Sequence, residues 1–211
     1  MKQSKNPWLT VSPEDYEGHM NSPGVNQLSF LADCVGNALA QYRPSEVAII
    51  GCGTGNGLAH VDNAYTKRTT VVDIHPAYLS VLTQRYAAQI AGLEVVCADL
   101  NHCVLDEDAY SLIFAGLVFE FLDPELLMDK ISRWLRHRAV LSVVLQMRSE
   151  GLPSVSDSGY DSLKRLGPIV NLIDVPRFRN ICQQRHLFET DSCIHVLPSG
   201  KSFYVGTYQK E

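Results

Sequence analysis

No apolar run in this chain of 211 residues approaches the ~20 residues that span a bilayer, which argues against an integral membrane protein. There is no block of like charge either, and 18 Lys and Arg against 23 Asp and Glu leave a formal net charge of −5. That balance argues against a broad polyphosphate-binding surface, and so against nucleic acid as the partner. The six cysteines, at 34, 52, 97, 103, 182 and 193, include no C-x-x-C pair and follow no framework, so reduced and mostly buried thiols are expected. Cys97, His102 and Cys103 are neighbours in sequence, but no second ligand pair at zinc spacing accompanies them, and no metal is expected. The first residues, Met1 to Trp8, carry positive charge with no apolar segment behind them. A secretory signal is therefore not expected, and the location reads as cytoplasmic. Internal repeats and low-complexity tracts are absent.

Present instead is an alternation of strand-like and helix-like segments over residues 27–147, the pattern of a parallel sheet wrapped by helices. Leu28, Leu31, Val35 and Leu39 predict a helix from Gln27 to Tyr42, stopped by Pro44. Strands are expected over Glu46–Ile50, Thr70–Asp73, Leu93–Cys97, Ser111–Val118 and Ala139–Leu145, with helices opening at His75-Pro76 and Asp123-Pro124. A short helix is expected over about Gly57–Ala64, with its free amides toward a ligand. Residues 147–176 lose the pattern, apart from a short helix over Tyr160–Leu166, and read as an irregular substrate-side insert. A helix over Pro176–His186 and an antiparallel hairpin, Cys193–Leu197 with Phe203–Tyr208, close the chain. The whole, 1–211, reads as one domain with a 1–26 amino-terminal arm or lid.

The most informative stretch is Glu46-Val47-Ala48-Ile49-Ile50-Gly51-Cys52-Gly53-Thr54-Gly55-Asn56-Gly57, an apolar strand opening onto four glycines at alternate positions. Such glycines let a backbone turn sharply and approach a ligand where a Cβ would clash. A dinucleotide loop requires G-x-G-x-x-G, whereas the third position here is Asn56 from Gly51 and Leu58 from Gly53. Asp73 ends the second strand 22 residues after Gly51, where a carboxylate can accept from two sugar hydroxyls; its plainer reading is a cap for the helix at Pro76. Asp99, after the third strand, offers a further acceptor or is a solvated loop residue.

The glycine loop and its flanks resemble the first motif of the class I S-adenosylmethionine-dependent methyltransferases, and Val72-Asp73-Ile74-His75-Pro76 looks like the second. Tyr16-Glu17-Gly18-His19-Met20, together with the loop, resembles segments of a group of bacterial members of unassigned substrate. The resemblance covers about residues 27–208. It implies an α/β doubly wound sheet of seven strands, ordered 3-2-1-4-5-7-6, mostly parallel with the last strand antiparallel and helices on both faces. It also implies S-adenosylmethionine as cofactor, S-adenosylhomocysteine as product, and cofactor contacts at Gly51, Cys52, Gly53, Thr54, Gly55, Gly57, Asp73, Ile74, Asp99, Leu100, Ala115 and Gly116.

Two acidic positions usual in the family are missing, one at Ile49 and one at Tyr110-Ser111. Isoleucine accepts no hydrogen bond, so either another residue holds the cofactor's amino group or binding is weak. Tyr16 or His19, on the arm, is a candidate to line the cofactor pocket; the alternative is a solvated arm. A methyl transfer needs alignment more than acid–base help. If a base acts, Glu120, His19 and Tyr160 are the candidates, with Gln146 placed to orient a polar acceptor. Glu120 reads equally as a solvated residue ahead of Pro124. Phe114, Phe119, Phe121 and Tyr160 can shape an apolar pocket. The Asn/Asp-Pro-Pro-aromatic tetrad of base-amine methylases and a Pro-Cys nucleophile are both absent, which leaves a small-molecule acceptor as the expectation. The alternatives are a non-catalytic module binding the same cofactor and, more weakly, a nicotinamide-dependent oxidoreductase.

Overall fold

The computed structural model describes residues 6–211, so the expectation for the first five falls outside the described residues. The elements in chain order are α1 (Pro13–Asn21), α2 (Gln27–Tyr42), β1 (Glu46–Ile50), β2 (Arg68–Asp73), α3 (Pro76–Tyr86), β3 (Leu93–Cys97), β4 (Tyr110–Gly116), α4 (Pro124–Trp134), β5 (Leu135–Gln146), α5 (Asp161–Lys164), α6 (Val175–Gln183), β6 (Leu187–Val196) and β7 (Ser202–Lys210). They form one sheet in the order β3-β2-β1-β4-β5-β7-β6. Pairing is parallel from β3 through β5, and β7 runs antiparallel to both β5 and β6.

Strand order reverses at β1, whose neighbours are β2 and β4, so the loops after β1 and β4 part and leave a crevice at their carboxyl ends. Successive β1 residues point to opposite faces, and both faces are covered. Ala48 and Ile50 enter a core with α4 and α6, while Val47 and Ile49 enter one with α2 and α3. Ser12 caps α1 by accepting from Asp15 N at 3.1 Å, and Asp123 caps α4 by accepting from Glu125 N and Leu126 N at 2.9 and 3.1 Å.

Several expectations change. The segment after the glycine loop forms only a 3₁₀ turn, Leu58–His60, so no α-helix follows that loop. With Gly57 in a left-handed conformation, a single tight turn suffices to carry the chain toward β2. The arm contains a full helix, α1, which its Ser-Pro-Glu-Asp start could have announced. Strand β5 begins at Leu135, straight out of α4, because Leu135 already pairs with Tyr110 across a register shift. Of the thiols, Cys52, Cys103 and Cys182 are buried, Cys34 is partly so, and Cys97 and Cys193 are exposed; all six are free. No helix among the described residues is long and apolar enough to cross a membrane.

Candidate functional site: a two-part cleft at the carboxyl ends of the strands

A cavity of about 210 Å³ occupies the crevice, and α1 and the 147–176 insert stand over it. On one side it is walled by the glycine loop and the ends of β2 and β3, through Gly51, Cys52, Gly53, Asp73, Ile74, Asp99 and Leu100. Asp73 is 9% exposed; its Oδ2 accepts from Gly53 N at 2.8 Å and its Oδ1 from His75 N at 2.9 Å. His75, not Asp73, caps α3, its Nδ1 accepting from Ala77 N. Asp73 therefore ties the glycine loop to the end of β2 and keeps further lone pairs for a ligand. Burial raises its pKa, and the amides of His75 and Gly53 offset that only in part.

Not all of the glycine loop faces the cavity. Gly53 does: it has φ 53°, and a Cβ there would stand 2.7 Å from Tyr16 Oη. Gly55 and Gly57 press instead on Tyr86 and Val35, on the protein side of the loop. Thr54 and Ala115 are likewise buried without lining the cavity, whereas Gly116 lines it. Part of the glycine requirement is thus internal packing.

Helix α1 crosses the crevice and is held from two sides. Glu17 makes a bidentate pair with Arg85 of α3, and Asp15 accepts from Ser162 Oγ of α5. Its Tyr16 stacks on Tyr78 at 4.9 Å, and Tyr78 stacks on His75 at 4.0 Å and 6°. Trp8 extends the row edge-on, 6.3 Å from Tyr16 and 5.1 Å from Phe121. Both Tyr16 and His19 line the cavity; the arm is not simply solvated.

The other side of the cavity is apolar, with a short polar edge. Trp8, Phe121, Val155, Leu163, Leu166 and Ile169 supply the apolar surface. Glu120, in the 3₁₀ turn Phe119–Phe121 after β4, is 2% exposed and far from a solvated loop residue. Its Oε1 accepts from Gln146 N at 2.6 Å, and burial raises its pKa to about 7. Gln146 Nε2 and Lys201 Nζ both donate to Ser154 O, at 2.9 and 2.7 Å. Nδ1 of His19 shares a 2.6 Å hydrogen bond with Ser158 Oγ, and burial, then the nearby Lys201, lower its pKa to about 4. Tyr160 lies outside the cavity wall and packs its ring against Gly18 of α1. Of the other aromatic candidates, Phe114 and Phe121 line the cavity, while Phe119 is core, edge-on to Phe178.

Three buried side-chain polar atoms among the described residues lack a hydrogen-bond partner: Thr69 Oγ1, Tyr78 Oη and Glu120 Oε2. Tyr78 and Glu120 both line the cavity, one on each side of it. An orphaned buried polar atom costs about 1–3 kcal/mol, so two lining one cavity mark a place built to receive polar groups. Tyr78 and Lys201 escaped the sequence reading. Tyr78 follows the second motif at helical spacing and looks like core, and Lys201 sits in a hairpin turn where lysine is ordinary.

Residues 49–143 match the model of a family described as a methyltransferase domain. Over those residues the chain matches a methyltransferase domain, and its sheet order is that of the class I S-adenosylmethionine-dependent methyltransferase fold. Among solved structures, the N-methyltransferase NodS from Bradyrhizobium japonicum WM9, in complex with S-adenosyl-L-homocysteine, is 18% identical. That match covers 99% of this chain and 93% of NodS, with a TM-score of 0.62. The geranyl diphosphate C-methyltransferase from Streptomyces coelicolor A3(2) is 13% identical over 87% of this chain and 76% of its own, at a TM-score of 0.67. The [4+2]-cyclase SpnF is 13% identical over 88% and 82%, at 0.68. Likeness at these identities speaks for the fold, and the cyclase shows that the fold also carries other chemistry. No curated protein sequence matches this chain. The cofactor expected from the sequence, S-adenosylmethionine, agrees with the methyltransferase-domain match and with the S-adenosyl-L-homocysteine held by NodS. The residues present fit that cofactor: a buried carboxylate with spare lone pairs, a bare backbone loop and an unpartnered phenol share one wall.

Proposed function

We propose that this methyltransferase methylates a small molecule held in the apolar side of the cleft, with Glu120 receiving the proton that an oxygen or nitrogen acceptor releases. The observation that carries the reading is the buried, unpartnered Glu120 Oε2 on the wall of an otherwise apolar cavity. A carboxyl with a pKa near 7 is poised between its two forms at neutral pH, which suits a general base. The cavity's size suits a small molecule better than a polymer, and the net charge of −5 argues in the same direction.

Bound in the cleft, S-adenosylmethionine supplies an electrophilic methyl group on a positively charged sulfur. Asp73 suits the ribose diol, since a hydrogen bond to a charged acceptor contributes roughly 1.5–3 kcal/mol. The amides of Gly51, Cys52 and Gly53 already donate to Val72 O and to Asp73, so this loop offers the cofactor close backbone approach rather than free donors. Asp99 accepts from Asn101 through Oδ1 alone, which leaves Oδ2 for an adenine amino group, while Ile74 and Leu100 flank with apolar surface. Gln27 is buried on the cavity wall, and its side-chain amide carries both donors and an acceptor. It is therefore the residue best placed to stand in for the acid missing at Ile49, which also lines the wall. Tyr16 and Trp8 close the cleft to water, which strengthens every polar contact inside.

Calorimetry with S-adenosylhomocysteine, followed by a screen of small acceptors against labelled cofactor, tests the reading. Transfer to a small acceptor that falls steeply in Glu120→Gln supports it. Cofactor binding without turnover across a broad acceptor panel would favour the binding-module alternative.

A further inference from the structure

Lys201 has no place in the chemistry described so far, yet it is 3% exposed and lines the cavity. An ammonium carries three N–H donors. One is used, on Ser154 O, and no carboxylate pairs with Lys201 among the described residues. Leaving a buried cation without a counter-charge is costly, and proteins normally pair such groups. His19 stands close by, and burial with the neighbouring Lys201 keeps it neutral, so it does not offset the ammonium's charge.

The polar groups also form a sequence across the pocket. Lys201 and Gln146 meet at the Ser154 carbonyl, and the Gln146 backbone amide meets Glu120 Oε1. A cationic end and a proton-accepting end are thereby set along one edge, with Trp8, Phe121, Val155, Leu163 and Leu166 supplying an apolar floor and roof.

We infer that the methyl acceptor is an amphipathic small molecule bearing an acidic group, which seats on Lys201 while the nucleophilic atom lies toward Glu120. The inference rests on the proposed function and narrows its substrate class. Lys201 is here a specificity residue. A neutral analogue of the same shape would leave the ammonium uncompensated, and an amine in place of the acid would meet like charge.

The test uses two probes of one shape, 2-naphthoate and 2-naphthamide, titrated calorimetrically into the full chain with and without saturating S-adenosylhomocysteine. A charge-assisted contact changes affinity by about ten- to a hundredfold, so naphthoate should bind at least about tenfold more tightly. Lys201→Met should erase the preference, and Lys201→Arg should keep most of it. S-adenosylhomocysteine affinity should be unchanged in both variants, and Lys201→Met should melt no lower than the parent, since it removes an unpaired buried charge. If Lys201 merely ties the β6–β7 turn to Ser154, Lys201→Met melts lower and the preference persists in the folded protein. Equal binding of the two probes, binding of neither, or a preference that survives Lys201→Met overturns the inference. Loss of S-adenosylhomocysteine binding by the parent chain would strike the proposed function instead, and the titrations without it separate the two failures.

Discussion

The two sides of the cleft are made of different structural material. The side with Gly51–Gly53, Asp73 and Asp99 consists of short loops fixed directly to strand ends, and its key contact joins neighbouring strands β1 and β2 through Asp73 and Gly53. The side with Glu120, Gln146, His19 and Lys201 is assembled from α1, the turn after β4, the end of β5, the insert and the β6–β7 hairpin. The first is sheet architecture common to the fold; the second depends on how the peripheral segments pack over it. A fold can thus keep one cofactor while the acceptor side changes, because only the second side is free of the sheet's own geometry.

Glu120→Gln sharpens the contrast most. Loss of a general base should lower kcat by about 10²–10⁴-fold, while S-adenosylhomocysteine affinity, a property of the other side, stays within a factor of about two. In the parent, the activity-controlling ionisation should appear near pH 7, with rate rising as Glu120 loses its proton. The same residue carries a stability signature. Its folded-state pKa lies above the usual 4.5, so folding favours the protonated form. The stability it confers is present below the unfolded value and is lost as pH rises through about 7. Near pH 8 Glu120→Gln should therefore be more stable than the parent by up to about 3 kcal/mol, and near pH 4 almost equal to it. Urea melts at the two pH values read this directly.

Asp73→Asn should act on the opposite side. Cofactor affinity should fall by about ten- to a hundredfold in calorimetry, with acceptor-probe binding little changed. The parent's affinity should also weaken on acidification, since sugar hydroxyls donate to the ionised carboxylate and burial already raises the Asp73 pKa. An equal loss on both sides would break the division. Tyr16→Ala removes the stack on Tyr78 and one support of the roof, so a few-fold weakening of cofactor binding is expected, in line with about 0.5–1.5 kcal/mol for an aromatic pair. The smallest effect is expected at Tyr160→Phe. Its ring packs on Gly18 outside the cavity, so kcat should change by less than about twofold and a larger loss would restore it as a catalytic candidate.

Legibility followed the same division. The helix cap at Asp123 and the position of Asp73 come from local patterns and the seven-strand order from the family resemblance, and the structure contains each of them. The helix expected after the glycine loop failed because Gly57 and the 3₁₀ turn offered a shorter route to β2 than propensity suggests. Lys201 was invisible because nothing near Ser199-Gly200-Lys201 records that its ammonium reaches Ser154, 47 residues earlier.

Sequence alone determined that strands and helices would alternate and which loop would bare its backbone, because period and turn chemistry are set by neighbours along the chain, while the strand order and the crevice followed from the family resemblance. Only the tertiary structure decided that Glu120 would be sealed from water, that Tyr78 and Lys201 would join it around one cavity, and that α1 would close over them. Burial sets a carboxyl's proton affinity and a lysine's need for a counter-charge, and burial is a property of what distant segments bring together.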